Sequence, residues 1–150
     1  GLRIGAIAFT GITTAICLAS LVPAVRDAFI DQASQISRGE MLWRALIRIP
    51  VGTVLLEELA FRGVLLANLH RVTSARRSIG WSVAAFAVWH LPGVVADGSA
   101  GLIITTLVST AVAGLGFTVL RQKSGSLIAS GAAHIATNSV PFALAWMFAR

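Results

Sequence analysis

Two adjacent carboxylates and an arginine stand in an almost wholly apolar stretch, LLEELAFRG (55–63). On a helix, Glu58 and Arg62 lie four residues apart with the acid first, which is the favourable order for an ion pair. Glu57 projects about 100° away from Glu58 and has no such partner on its own helix. A carboxylate whose charge is not neutralised locally is suited to take a proton from water, so Glu57 is the candidate general base.

Two further apolar stretches each carry a polar group at helical spacing. FAVWH puts Phe86 and His90 on one face, and HIATN does the same for His134 and Asn138. Ionisable side chains inside a membrane are costly and are rarely kept without a partner or a task. We therefore expect the three faces to converge on one cavity, where His90 and His134 compensate the charge of Glu57.

Each of these residues also has a purely structural interpretation. A lone histidine on an apolar face is more often a hydrogen-bonded core residue than a catalyst. The cluster of Glu57, Glu58 and Arg62 could by itself lock a helix, as ion pairs do in transporters. Two carboxylates, an arginine, two histidines and an asparagine on three apolar stretches nevertheless exceed what packing requires.

The composition predicts the environment in which these residues lie. The 150 residues are 56% hydrophobic and 12% charged, whereas a soluble domain carries about 25% charged residues. This favours an all-α, polytopic transmembrane helix bundle with the lipid bilayer as its partner. The net charge of +6 comes from basic residues that flank apolar segments, which indicates membrane topology and argues against a nucleic-acid partner.

Apolar stretches of about 20 residues are long enough to span a bilayer. The sequence predicts about five such spans, at roughly 4–25, 51–70, 79–96, 100–120 and 126–149. Pro92 and Gly93 should end or kink the third span just after His90. Before the second span, MLWRALIRIP (41–50) has the pattern of a short amphipathic helix in the membrane interface. The alternative, that it extends the second span, fits the pattern equally well.

The spans predict one transmembrane domain, residues 1–150, whose motifs lie between about 50 and 140. Because the chain begins with Gly1, we expect N-terminal helices to be missing. Basic residues cluster before the first span and after the second and fourth, which five spans bring to one side of the membrane. The positive-inside rule makes that side cytoplasmic. These residues are Arg3, Arg71, Arg76, Arg77, Arg121 and Lys123. The expected location is a bacterial-type cell membrane, as a multi-pass integral protein.

The three motifs, EExxxR, FxxxH and HxxxN in this order, resemble those of the CAAX protease and bacteriocin-processing family of intramembrane endopeptidases. The resemblance implies hydrolysis of a peptide bond in a membrane-associated protein or peptide, and the family's best-known substrates are lipidated. It also implies that Glu57 and His90 activate a water molecule, and that His134 and Asn138 stabilise the oxyanion. Glu58, Arg62 and Phe86 would support the site structurally.

The sequence leaves two questions open, namely whether catalysis uses a metal and whether the protein is catalytic. A glutamate and a histidine that activate water require no cofactor, which is the favoured interpretation. If a zinc ion is used, Glu57, His90 and His134 would be its ligands, with water completing a tetrahedral site. A non-catalytic membrane immunity or interaction protein with the same fold is the alternative function. A small carrier that relays protons through the carboxylates is a third.

Overall fold

The structure is a computed structural model that describes residues 1–30 and 36–150. All regular elements in these residues are helices, joined by short turns. Two of the segments have π-helical hydrogen bonding and are called π1 and π2. The segments are α1 (Leu2–Ala19), α2 (Pro23–Ile30), α3 (Arg38–Trp43), π1 (Arg44–Leu55), π2 (Glu58–Leu65), α4 (Leu66–Val72), α5 (Ala75–Trp89), α6 (Ala100–Ser124) and α7 (Leu127–Phe148). Single 3₁₀ turns, Leu91–Gly93 and Val95–Asp97, join α5 to α6.

Three of these helices, α1, α6 and α7, are long and apolar enough to cross a membrane. The expectation of a helical membrane protein is therefore confirmed, whereas the count of five spans is not. The third predicted span contains a helix of only 15 residues, α5. The second lies in a stretch that is divided between π1, π2 and α4 and carries three charged side chains.

Residues 38–72 form one uninterrupted helical stretch. The residues at its internal junctions keep helical dihedral angles, with φ −65° and ψ −49° at Arg44 and φ −63° and ψ −45° at Leu56. Pro50 lies inside π1 and has no N–H to donate, which interrupts the α-type ladder. The predicted interfacial helix at 41–50 is not confirmed, because these residues are divided between α3 and π1. Residues 41–50 instead continue into the second predicted span, which is the alternative that the sequence left open.

The predicted break after His90 is confirmed. α5 ends at Trp89, His90 is its C-cap, and Pro92 lies in the 3₁₀ turn that follows. Gly98 then has φ +65°, a left-handed conformation that glycine adopts without strain. Ser99 is the N-cap of α6, and its Oγ accepts a hydrogen bond from the Leu102 N–H at 3.4 Å.

The central helix of the bundle is α7, which packs against α1, π1 and α6. Ala129, Ala133 and Ala136 on α7 are fully buried, and small residues let membrane helices approach closely. At the start of α1, a Cβ on Gly5 would lie 3.2 Å from the carbonyl oxygen of Ile128. The N-terminal ends of α1 and α7 therefore meet, and many large apolar side chains on the outer faces stay exposed.

Candidate active site

Glu58 is the centre of a buried network. It and Arg62, both in π2, are only 2% and 1% exposed. Arg62 Nη1 donates to Glu58 Oε1 at 3.2 Å, which confirms the ion pair predicted from their spacing. The same oxygen lies 3.0 Å from Nδ1 of His134 on α7. Since an ionised carboxylate only accepts hydrogen bonds, this His134 nitrogen carries a proton. Glu58 thus fixes the orientation of a histidine from another helix.

Glu57 lies on the opposite side of the same histidine. Its Oε2 is 3.6 Å from His134 Nε2, and its side chain is 11% exposed. Oε1 accepts a hydrogen bond from Trp89 Nε1 at 3.3 Å. Oε2 is buried and has no hydrogen-bond partner among the described residues. His134 therefore lies between two carboxylates, and Glu57 keeps one oxygen free for a further donor.

Phe86 connects the arginine to both histidines. The guanidinium carbon of Arg62 is 3.9 Å from the centroid of the Phe86 ring. The rings of His90 and His134 lie edge-on to Phe86, at centroid distances of 4.7 and 5.8 Å. Phe117 on α6 stacks on His134 at 4.5 Å. Aromatic faces thus hold the charged and imidazole groups in place from the apolar side.

His90 is oriented by the end of its own helix. Its Nδ1 lies 2.8 Å from the Phe86 carbonyl oxygen, which can only accept, so Nδ1 carries a proton. In the neutral ring Nε2 is then the acceptor nitrogen. A cavity of about 180 Å³ adjoins the ring. Its lining comprises Phe86, His90, Ser109, Thr110, Ala113, Phe117, His134, Thr137 and Asn138. Two histidines and an asparagine thus line one cavity, where polar groups among apolar walls can orient a ligand.

The predicted residues therefore form two connected groups. Glu57, Glu58, Arg62 and His134 are in direct contact, whereas His90, His134 and Asn138 share the cavity. In the described part of the chain no hydrogen bond joins Glu57 to His90, and the donor to Glu57 from α5 is the neighbouring Trp89. His134 is the one residue that belongs to both groups.

The segment that carries these side chains matches a known family. Residues 39–140 match the family described as type II CAAX prenyl endopeptidase Rce1-like, and this match covers more than half of the chain. The chain belongs to the Rce1-like family. No curated protein and no solved structure matches the chain. The Rce1-like proteins are a protease family, so the resemblance of the three motifs is confirmed and the alternative of a non-catalytic protein is not favoured.

The structure of this Rce1-like chain does not bring Glu57, His90 and His134 together as a three-ligand zinc site. Within residues 1–30 and 36–150, no three His, Cys, Asp or Glu side chains are grouped to hold a metal ion. The Nδ1 atoms of His134 and His90 are bonded to Glu58 and to the Phe86 carbonyl, which leaves the two Nε2 atoms as the nitrogens that could bind a metal. Metal analysis of the purified protein tests the ligand set of Glu57, His90 and His134.

Gly114 on α6 is a site residue that the sequence does not reveal. Its carbonyl oxygen accepts hydrogen bonds from Arg62 Nη2 at 3.3 Å and from Thr118 Oγ1 at 2.7 Å. A Cβ at this position would lie 2.8 Å from Phe86 Cδ1 and 3.3 Å from Arg62 Nη2. The apolar run AGLGF (113–117) gives no signal that separates Gly114 from Gly116.

Gly114→Ala is expected to destabilise this Rce1-like fold by about 1–3 kcal/mol, the usual cost of overpacking. The new methyl group would displace Phe86 and the guanidinium of Arg62, so activity should fall as well. Gly116→Ala is the matched control on the same helix, because a Cβ there meets no atom within 4 Å. Thermal unfolding in detergent compares the two. Equal stability of both variants would contradict the close approach at Gly114.

Proposed function

We propose that the chain is an intramembrane endopeptidase in which Glu57 activates a water molecule for attack on a peptide carbonyl. The observation that carries this proposal is the position of His134. It is held by Glu58 at 3.0 Å, faces Glu57 at 3.6 Å and lines the cavity that His90 and Asn138 share. Membership of a protease family supports hydrolysis as the chemistry of that cavity.

Water activation is assigned to Glu57 with His90. The free Oε2 of Glu57 is an acceptor for one proton of a water molecule, and the unprotonated Nε2 of His90 is a second acceptor. As the water oxygen forms its bond to the carbonyl carbon, Glu57 takes the proton. Glu57 then returns that proton to the amide nitrogen as the C–N bond breaks. The products are a carboxylic acid and an amine, and the glutamate is regenerated.

Oxyanion stabilisation is assigned to His134 and Asn138. Both lie on α7 and line the cavity. The asparagine amide supplies two N–H donors, and His134, whose Nδ1 proton goes to Glu58, donates from Nε2 when the ring is doubly protonated. Donors that are already oriented stabilise the negative charge that develops on the carbonyl oxygen without having to reorganise. Glu58 and Arg62 keep His134 in this orientation from outside the cavity, and Phe86 packs edge-on to its ring from the cavity wall.

The substrate is proposed to be a membrane-associated protein or peptide, and the family description makes a prenylated CAAX peptide the first one to test. We further propose that residues 1–150 act as a single multi-pass membrane domain. In this arrangement the helical stretch 38–72 and α5 cross the membrane together with α1, α6 and α7. The end that carries Arg71, Arg76, Arg77 and Lys123 faces the cytoplasm of a bacterial-type cell.

The purified protein in liposomes tests this function directly. It is expected to release the C-terminal tripeptide from a farnesylated CAAX peptide, which mass spectrometry of the products detects. The same peptide without the farnesyl group shows whether lipidation is required. If neither peptide nor a panel of membrane-spanning peptides is cleaved, the catalytic function is wrong and a binding function replaces it.

Asn138→Ala is expected to lower kcat by about 100- to 1,000-fold, the usual effect of losing one oxyanion donor. Substrate binding should change less, because the lost hydrogen bond forms mainly in the transition state. Asn68→Ala is the control, since Asn68 is exposed and donates to the Val64 carbonyl oxygen of its own helical stretch. Comparable rates for Asn138→Ala and Asn68→Ala would remove Asn138 from the mechanism.

A further inference from the structure

A second polar cavity lies between α4 and α6. It has a volume of about 150 Å³ and is lined by Arg62, Leu66, Ala67, His70, Arg121 and Gln122. Arg62 is the residue that it shares with the candidate active site. His70 Nε2 and Gln122 Nε2 are 3.3 Å apart, which ties the C-terminal ends of the two helices together. The mechanism proposed above uses none of the cavity apart from Arg62.

The cavity has unused hydrogen-bond donors. The Nε atoms of Arg62 and Arg121 are both buried, and neither has a hydrogen-bond partner among the described residues. Arg62 is 1% exposed, so water outside the protein does not reach its unpaired N–H group. A buried donor without a partner is unfavourable, and here two of them belong to residues that line one small space.

The charge of the cavity is positive. Arg62 is neutralised by Glu58 at 3.2 Å, whereas Arg121 forms no ion pair with any residue in the described ranges. No acidic residue is part of the lining, and His70 and Gln122 add side chains that can donate as well as accept. Unpaired N–H donors next to an arginine that has no acidic partner favour the binding of an anion.

We propose that this cavity binds a phosphate group, supplied by the headgroup of an anionic lipid or by free phosphate. Arginine binds phosphate oxygens through paired N–H groups, and basic pockets between membrane helices are typical sites for lipid headgroups. The cavity lies where α4 and α6 end, next to Arg71 and Lys123. Because only the folded chain forms this cavity, a bound phosphate stabilises the fold.

Thermal unfolding of the full chain tests the proposal. The wild-type protein is measured in phosphatidylcholine nanodiscs, with and without phosphatidylglycerol, and separately with inorganic phosphate. A bound ligand raises the unfolding temperature in a concentration-dependent way. Arg121→Gln is expected to weaken the apparent affinity about tenfold, since it removes a charge-assisted hydrogen bond. Lys123→Gln is the matched control, because it makes the same charge change on the same helix outside the cavity.

The two probes distinguish the source of the phosphate. Stabilisation by phosphatidylglycerol alone identifies a lipid headgroup, and stabilisation by inorganic phosphate as well identifies a site that also takes the free anion. Equal losses in Arg121→Gln and Lys123→Gln would indicate diffuse surface attraction and overturn the proposal, as would no stabilisation by either probe. If Arg121→Gln does not fold, Gln122→Glu is measured instead. Its carboxylate would pair with the arginines of the cavity and abolish stabilisation by phosphate, and unchanged stabilisation would overturn the proposal.

Discussion

Glu57→Gln is expected to lower the rate of peptide cleavage at least about 100-fold, the lower bound for loss of a general base. The substitution keeps the size of the side chain and the carbonyl oxygen that accepts from Trp89 Nε1. It removes only the ability to take a proton from water. The measurement is kcat/KM for the prenylated peptide in liposomes, together with the unfolding temperature of the variant, which should remain close to that of the wild type.

The control for Glu57→Gln is Glu40→Gln, which removes the same charge from the surface of α3. Glu40 pairs with Arg44, and neither residue lines the cavity, so its replacement should leave cleavage unchanged. If Glu57→Gln retained the wild-type rate, the base would have to be another group, and His90 would be the first candidate. If Glu57→Gln failed to fold, Glu57 would be structural like Glu58.

Glu58→Gln is expected to destabilise the fold by about 3–5 kcal/mol, the usual cost of breaking a buried ion pair by removing one partner. Arg62 would keep a buried charge that no other described carboxylate neutralises at hydrogen-bond distance. His134 would in addition lose the charged acceptor of its Nδ1 proton. Chemical unfolding in detergent measures the stability, and cleavage should fall in parallel because His134 is no longer held.

Two comparisons separate the buried pair from an ordinary one. Glu40 and Arg44 have the same four-residue spacing but are 40% and 36% exposed, and exposed pairs of this kind are worth about 0.3–0.5 kcal/mol. Glu40→Gln should therefore have little effect on unfolding. The double variant Glu58→Gln/Arg62→Gln should recover part of the lost stability, because no unpaired charge remains buried. Equal destabilisation by Glu40→Gln and Glu58→Gln would contradict the role of Glu58.

The features that the sequence predicted correctly are set by residues close together in the chain. The Glu58–Arg62 pair follows from four-residue spacing on a helix, and the end of α5 after His90 follows from Pro92. The helical membrane fold follows from the amount of apolar sequence. The convergence of Glu57 and His134 needed a further argument, that a charge in an apolar span requires a partner from elsewhere.

The features that the sequence did not predict depend on contacts between helices. Trp89 rather than His90 donates to Glu57, because the partner depends on how α5 is rotated against the 38–72 stretch. The π-helical segments change the hydrogen-bond register without changing the pattern of apolar residues, so the second span could not be foreseen as π1 and π2. Gly114 and Gly116 are alike in sequence and differ only in what faces them.

The origin of the oxygen in the new carboxylate tests the central claim most directly. The protein, in excess over a prenylated CAAX peptide, reacts in water enriched in oxygen-18. Mass spectrometry then measures the mass of the product of the first turnover. Attack by a water that Glu57 activates predicts one oxygen-18 atom in the product from the wild type, and product formation at least about 100-fold slower with Glu57→Gln. An unlabelled product would mean that the oxygen came from the protein itself, and rapid cleavage by Glu57→Gln would mean that Glu57 is not the base.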